Sequence, residues 1–144
     1  MKILEDNSTV MTKARDLCET IAEDVEYRDL LAKVEKFLGD DEARTSYQTV
    51  HSQGQELNQK QQSGLQLAES EIAEFESART RLLENQVASE FLQAQQSLET
   101  LQSSVSRLVG MTVELGRVPT AEDIAQASGG GCCGGGGGGG CGCE

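Results

Sequence analysis

The sequence contains no tryptophan, one proline (Pro119), two tyrosines and three phenylalanines in 144 residues. So few rings and breaks, in a chain rich in Gln, Glu, Ser, Leu and Ala, favour long helices over a sheet packed around large side chains. No apolar run approaches the ~18 residues that a bilayer requires. The start, Met1-Lys2-Ile3-Leu4-Glu5-Asp6, turns acidic before the apolar core of a signal peptide could form. Blocks of cations are missing as well. Lys and Arg number 12 against 24 Asp and Glu, giving a net charge of −12, and the acids are spread along the whole chain. A nucleic-acid backbone must be neutralised by clustered Lys and Arg, so the composition argues against direct nucleic-acid binding, and any link to RNA would run through a partner protein. These absences together indicate a cytoplasmic, all-α protein with one modest core.

Two residue types are present in excess at one place. Eleven of the sixteen glycines and four of the five cysteines fall in Ser128–Glu144, which reads Ser-Gly-Gly-Gly-Cys-Cys, seven glycines, then Cys-Gly-Cys-Glu. Glycine loses the most backbone freedom on ordering, so residues 128–144 are expected to form a disordered tail behind a helical domain at 1–127. In a reducing compartment clustered thiols point to a metal site or a redox sensor before a disulfide. Cys132, Cys133, Cys141 and Cys143 supply four thiolates, enough for zinc or one iron–sulfur cluster. Neither Cys-Cys nor Cys-Gly-Cys has the spacing of a usual structural zinc site, so an incidental low-complexity tail stands beside the metal reading.

The body reads as a succession of amphipathic helices. From Thr12, Ala14, Leu17, Cys18, Ile21, Ala22 and Val25 recur at three- and four-residue spacing. Cys18 on that stripe is expected to be a buried, inert thiol. Tyr27, Leu30, Leu31, Val34, Phe37 and Leu38 outline a second helix that Gly39 can end, with Asp40 or Asp41 capping the next. A long, Gln-rich third helix carries a thin stripe at Ala43, Tyr47, Val50, Gly54 and Leu57, and Ser63-Gly64 should close it. Ala68, Ile72, Phe75, Ala78 and Leu82 then make a fourth, antiparallel to the third because the connection is short.

The pattern resets near Asn85, and the fifth helix is the most regular stretch. Phe91, Leu98, Val105 and Thr112 occupy one heptad position, and Val87, Ala94, Leu101, Leu108 and Leu115 the other. Its length exceeds what two short helices can cover, so Phe91, Leu98, Leu101, Val105 and Leu108 are candidates for a partner interface, with packing inside one bundle as the competing use. Gly110 and Gly116 weaken its end, Pro119 should stop it, and Thr120-Ala121-Glu122-Asp123 resembles an imperfect capping box for a short final helix. The architecture expected is a helical bundle: an antiparallel hairpin of long helices with short N-terminal helices.

Three stretches carry a family resemblance: Asp41-Glu42-Ala43-Arg44, Gln55-Glu56-Leu57-Asn58-Gln59-Lys60-Gln61 followed by Gly64, and the junction Glu26-Tyr27-Arg28-Asp29-Leu30. With the closing heptad helix from Val87 to Leu115, they resemble the YlbF/YmcA/YheA family of small helical bacterial proteins over residues 12–115. The resemblance implies a non-catalytic regulator that joins copies of itself or related subunits. The best-known members have cysteines near the C-terminus and belong to a complex tied to competence, sporulation and biofilm formation, which binds iron–sulfur clusters and assists an endoribonuclease in maturing messenger RNA. The polyglycine tail and adjacent cysteine pair depart from that pattern.

Nothing points to catalysis. His51 is the sole histidine and has no second acid or base at a telling spacing, no serine sits in Gly-x-Ser-x-Gly, and the tail glycines open no phosphate-binding helix. Two other classes remain open. A helical leader followed by Ala-Ser-Gly-Gly and a Gly/Cys core resembles a precursor of a ribosomally made, modified peptide, and a purely structural helical oligomer would need no chemistry at all.

Overall fold

The computed structural model describes residues 1–129. A 3-10 turn at Lys2–Leu4 precedes α1 (Thr9–Glu23), α2 (Val25–Leu38), α3 (Asp41–Gln62), α4 (Glu69–Glu84), α5 (Gln86–Leu115) and α6 (Ala121–Gly129), with no strand among the described residues. The all-α helical-bundle expectation holds. The described residues fall into two compact units, Met1–Thr100 and those from Leu101 to Gly129, and α5 contributes to both.

Local chemistry sets the helix boundaries. Side-chain oxygens of Ser8, Asp24, Asp40 and Asn85 accept from the backbone N–H groups of Met11, Tyr27, Ala43 and Ala88 at 2.9–3.2 Å, each satisfying a donor that the first helical turn leaves free. Of the two aspartates able to cap α3, Asp40 does so. Its end is closed by Gly64, whose φ of 72° few other residues tolerate, while the N–H of Leu65 donates to the carbonyl of Lys60 at 3.0 Å. Ala68 precedes α4, and its N–H donates to the Glu71 carboxylate at 3.1 Å.

In the first unit α3 and α4 form the antiparallel hairpin expected from the short turn. Lys60 pairs with Glu71 near its closed end. Further along, a Cβ on Gly54 would lie 3.3 Å from Phe75 Cε2, so the missing side chain lets the Phe75 ring approach α3. The core lies toward the other end of the hairpin, where Phe37, Ala43, Leu82 and Ala88 are buried and Tyr47, Val50, Val87, Phe91 and Leu92 pack against them. Phe37 and Phe91 stack with ring centroids 3.9 Å apart, and Tyr47 meets both rings edge-on at 5.7 Å. Alanine at positions 43 and 88, both 0% exposed, lets helix backbones come close around these rings.

Cys18 departs from expectation: the thiol is exposed. Its helix packs on the N-terminal 3-10 turn and on α2 and has no buried residue, because the stripe it carries meets no third helix within this unit.

The second unit begins on the distal half of α5. That helix passes through Gly110 and stops at Gly116, with φ 67°, before Pro119 is reached. The next helix is longer than expected, running to Gly129, and its capping box is complete. Thr120 N–H and hydroxyl donate to Asp123 Oδ2 at 2.7 and 2.9 Å, while Asp123 N–H donates to Thr120 Oγ1 at 3.3 Å. Aspartate serves at this position because Arg117 grips it from the other side at 2.7 and 3.1 Å. Arg107 Nη1 also donates to Ser128 Oγ at 3.0 Å, tying the last turn of α6 back to α5.

The Arg117 guanidinium, then the Thr120 N–H and hydroxyl, hold the Asp123 carboxyl well below the usual carboxylate range. A folded-state pKa below the unfolded value of ~3.9 stabilises the charged form, so this contribution is intact above about pH 4 and declines as pH falls toward the depressed value. The amide signals of Thr120 and Asp123 are therefore expected to hold their positions from pH 7 to about 4 and to shift below it, and Asp123→Asn should abolish that shift. An unchanged acid response in the variant would assign it to another group.

Candidate partner-binding surface

Of the five residues that the heptad pattern marks for an interface, the structure separates one from the rest. Phe91 stacks on Phe37 inside the first unit. Leu98 is half-buried at the end of that unit. In the second unit Leu101 and Val105 are half-buried and Leu108 is 43% exposed. The proximal end of α5 thus builds a core through Phe91 and Ala94, while its distal stripe is half-buried at Leu101 and Val105 and exposed at Leu108. Heptad spacing alone carried no signal for where that change of use occurs.

A second surface was not legible in the sequence. An apolar cleft of about 330 Å³ opens beside the core, walled by Tyr47, Val50, Phe75, Leu82, Leu83 and Leu92. Arg79 is the only charged residue in its lining, and the His51 ring lies over Tyr47 with centroids 6.2 Å apart. The sole histidine therefore borders an apolar recess with no carboxylate in its lining. Its residues come from three helices, so no single stripe announces them.

Elsewhere on the hairpin, polar recesses flank Gln53. Thr49, Gln53, Glu74, Ser77 and Arg81 help line one of about 450 Å³, and Gln53 Oε1 is buried without a hydrogen-bond partner. The adjacent Glu71 carboxylate is held below its usual range by Lys60 and by the Ala68 N–H. No nucleophile is paired with a base in these recesses. Among the described residues no three His, Cys, Asp or Glu side chains converge to hold a metal. Cys132, Cys133, Cys141 and Cys143 lie outside the described residues. No described helix is long and apolar enough to cross a membrane.

A long-helix hairpin with a small shared core and open apolar stripes defines a helical protein suited to contacts with other proteins. The chain belongs to the YlbF/YmcA family, described as control of the competence regulator ComK, whose model matches residues 10–114. It is 25% identical over 107 residues to a UPF0342 protein of Alkalihalophilus pseudofirmus, covering 74% of this chain and 91% of that relative. No solved structure matches it.

Proposed function

We propose that this protein is a cytoplasmic, non-enzymatic regulator or assembly factor that works by associating with copies of itself or with related helical subunits. The observation that carries this reading is the imbalance between its core and its stripes. Among the described residues the buried hydrophobic core is limited to Phe37, Ala43, Leu82, Ala88 and Ala94, while sixteen large hydrophobics are exposed. Scattered exposed apolar residues are ordinary. Here they recur at helical spacing on α1 and distal α5, the form in which a helix presents itself to another helix. Membership of a family described by its control of ComK fits regulation through contact.

Two finer elements belong to the same reading. An influence on RNA processing would pass through a partner, since the charge distribution offers no basic surface. Cys132, Cys133, Cys141 and Cys143 form an all-thiolate donor set suited to an iron–sulfur cluster or zinc. Such a group would supply redox or metal responsiveness, and it could alter partner choice only through a difference in affinity between the two states.

The test is sedimentation velocity of the full chain, purified anaerobically, with iron, sulfide and zinc analysis on the same sample. An assembly larger than the monomer is expected, together with bound metal that disappears when the four tail cysteines are replaced by serine. A folded monomer at all concentrations would overturn self-association, and metal content unchanged by those substitutions would overturn the tail assignment.

A further inference from the structure

Resting on the reading of this chain as a self-associating protein, we infer that α6 is a latch, folded back on distal α5 in competition with a second copy for the same apolar stripe. Its position follows from one contact. Arg107 Nη1 donates to Ser128 Oγ at 3.0 Å, and the short connection from Gly116 to Thr120 makes α5 and α6 antiparallel. One helical turn back along α6 from Ser128, and one turn on along α5 from Arg107, Ile124 comes level with Met111. Burial agrees with that register. Met111 and Thr112 are half-buried in the last two turns of α5, where Leu108, Val109, Val113 and Leu115 are exposed, and Ile124, the sole large apolar residue of α6, is half-buried too.

The hold is light. Nine residues are fewer than the ~12–15 that an isolated helix needs in water, so α6 persists through its cap and its docking. Docking rests on Ile124 and on Pro119, which is buried just before the helix. The polar ties, Arg107 to Ser128 and Arg117 to Asp123, lie at exposed positions, where such contacts contribute little. Gly116 stands in open space with φ 67° and serves as the hinge.

The charge pattern identifies the competitor. Residues 100–113 carry Arg107 as their one charge in a chain of net charge −12, so two copies of this stripe can meet where neither brings an acid. Arg107 itself lies more than about 90° around the helix from Leu101, Val105 and Leu108. Thr112 completes the stripe those three residues begin, and a partner helix laid along it needs the space beside Met111 and Thr112 that α6 occupies. Association then draws only on molecules with α6 released, and a latch closed about nine-tenths of the time weakens it about tenfold.

The test locks and opens the latch in full-length protein. With all five native cysteines replaced by serine, Arg107→Cys and Ser128→Cys joined by a short bismaleimide hold α6 closed, while the same variant capped with a monofunctional maleimide leaves it open. Sedimentation velocity should give an apparent dissociation constant on the order of tenfold or more higher for the locked form. Ile124→Asp in the native chain should lower that constant by a similar factor, and Gln126→Asp, at an exposed position on the outer face of α6, should leave it unchanged. Amide hydrogen exchange of residues 121–128 should quicken in the isoleucine variant alone. A dimer whose dissociation constant is the same locked, open and as Ile124→Asp would overturn the latch while leaving self-association intact. A chain monomeric in both the locked and the open form would overturn both.

Discussion

Replacing Phe37 by alanine is expected to lower the unfolding free energy by about 3–5 kcal/mol, the usual cost of removing a buried aromatic side chain. On thermal denaturation this corresponds to a shift on the order of 10 °C. The reason is topological. Phe37 is 5% exposed and lies on α2, while its ring stacks on Phe91 of α5 and meets the edge of Tyr47 on α3. One side chain therefore holds three helices together, in a core with few other large members. Ala43 and Ala88 beside it are too small to fill the space left, and rigid backbones near a cavity relax only in part. Urea denaturation followed by far-UV circular dichroism would measure the effect. Phe91→Ala should follow closely, and the double variant should cost less than the sum, because each ring loses part of its value once its neighbour has gone. A loss below about 1 kcal/mol for Phe37→Ala would mean that the stack does not hold these helices.

Helix existence was legible in this sequence because periodicity and punctuation agreed. Asp40, Gly64 and Asn85 each sit where a boundary forms, and each has a chemical reason to do so. Burial was less legible. Leu17 and Leu82 both occupy apolar positions of amphipathic helices, yet the second is in the core and the first is open. Periodicity gives the face of a helix that seeks cover and is silent on whether that cover comes from the same chain. Cys18 was misplaced for this reason. The capping box at Thr120 was undervalued for a different one: Asp123 is adequate there because Arg117 orients it, a contact across six residues that capping patterns do not include. The cleft near His51 was invisible because α3, α4 and α5 each contribute only part of its wall.

The largest functional effect is expected from an acid placed on the apolar stripe of α5 beyond Ala94. Leu98→Asp or Leu101→Asp should dissociate the assembly while leaving appreciable helix. Loss of a buried leucine contact is worth about 1.5–3 kcal/mol, and in a symmetric pair each substitution acts twice. The dissociation constant should then rise by a factor on the order of 10² to 10⁴, before the added cost of desolvating a carboxylate. Helix content should survive, because α5 begins at a cap on Asn85 and its first turns are anchored by Phe91 and Ala94, a turn or more before the substitution. Gln96→Asp, on the opposite face of the same helix, introduces the same charge at an exposed position and should leave the assembly unchanged. Sedimentation velocity beside circular dichroism separates the two effects. If the leucine variants lose helix in proportion to dissociation, the stripe belongs to the fold of one chain, and α5 is a core helix along its whole length. If they become helical monomers while the glutamine variant remains associated, then one continuous helix serves two purposes: its first turns complete a small core, and its last turns require another protein.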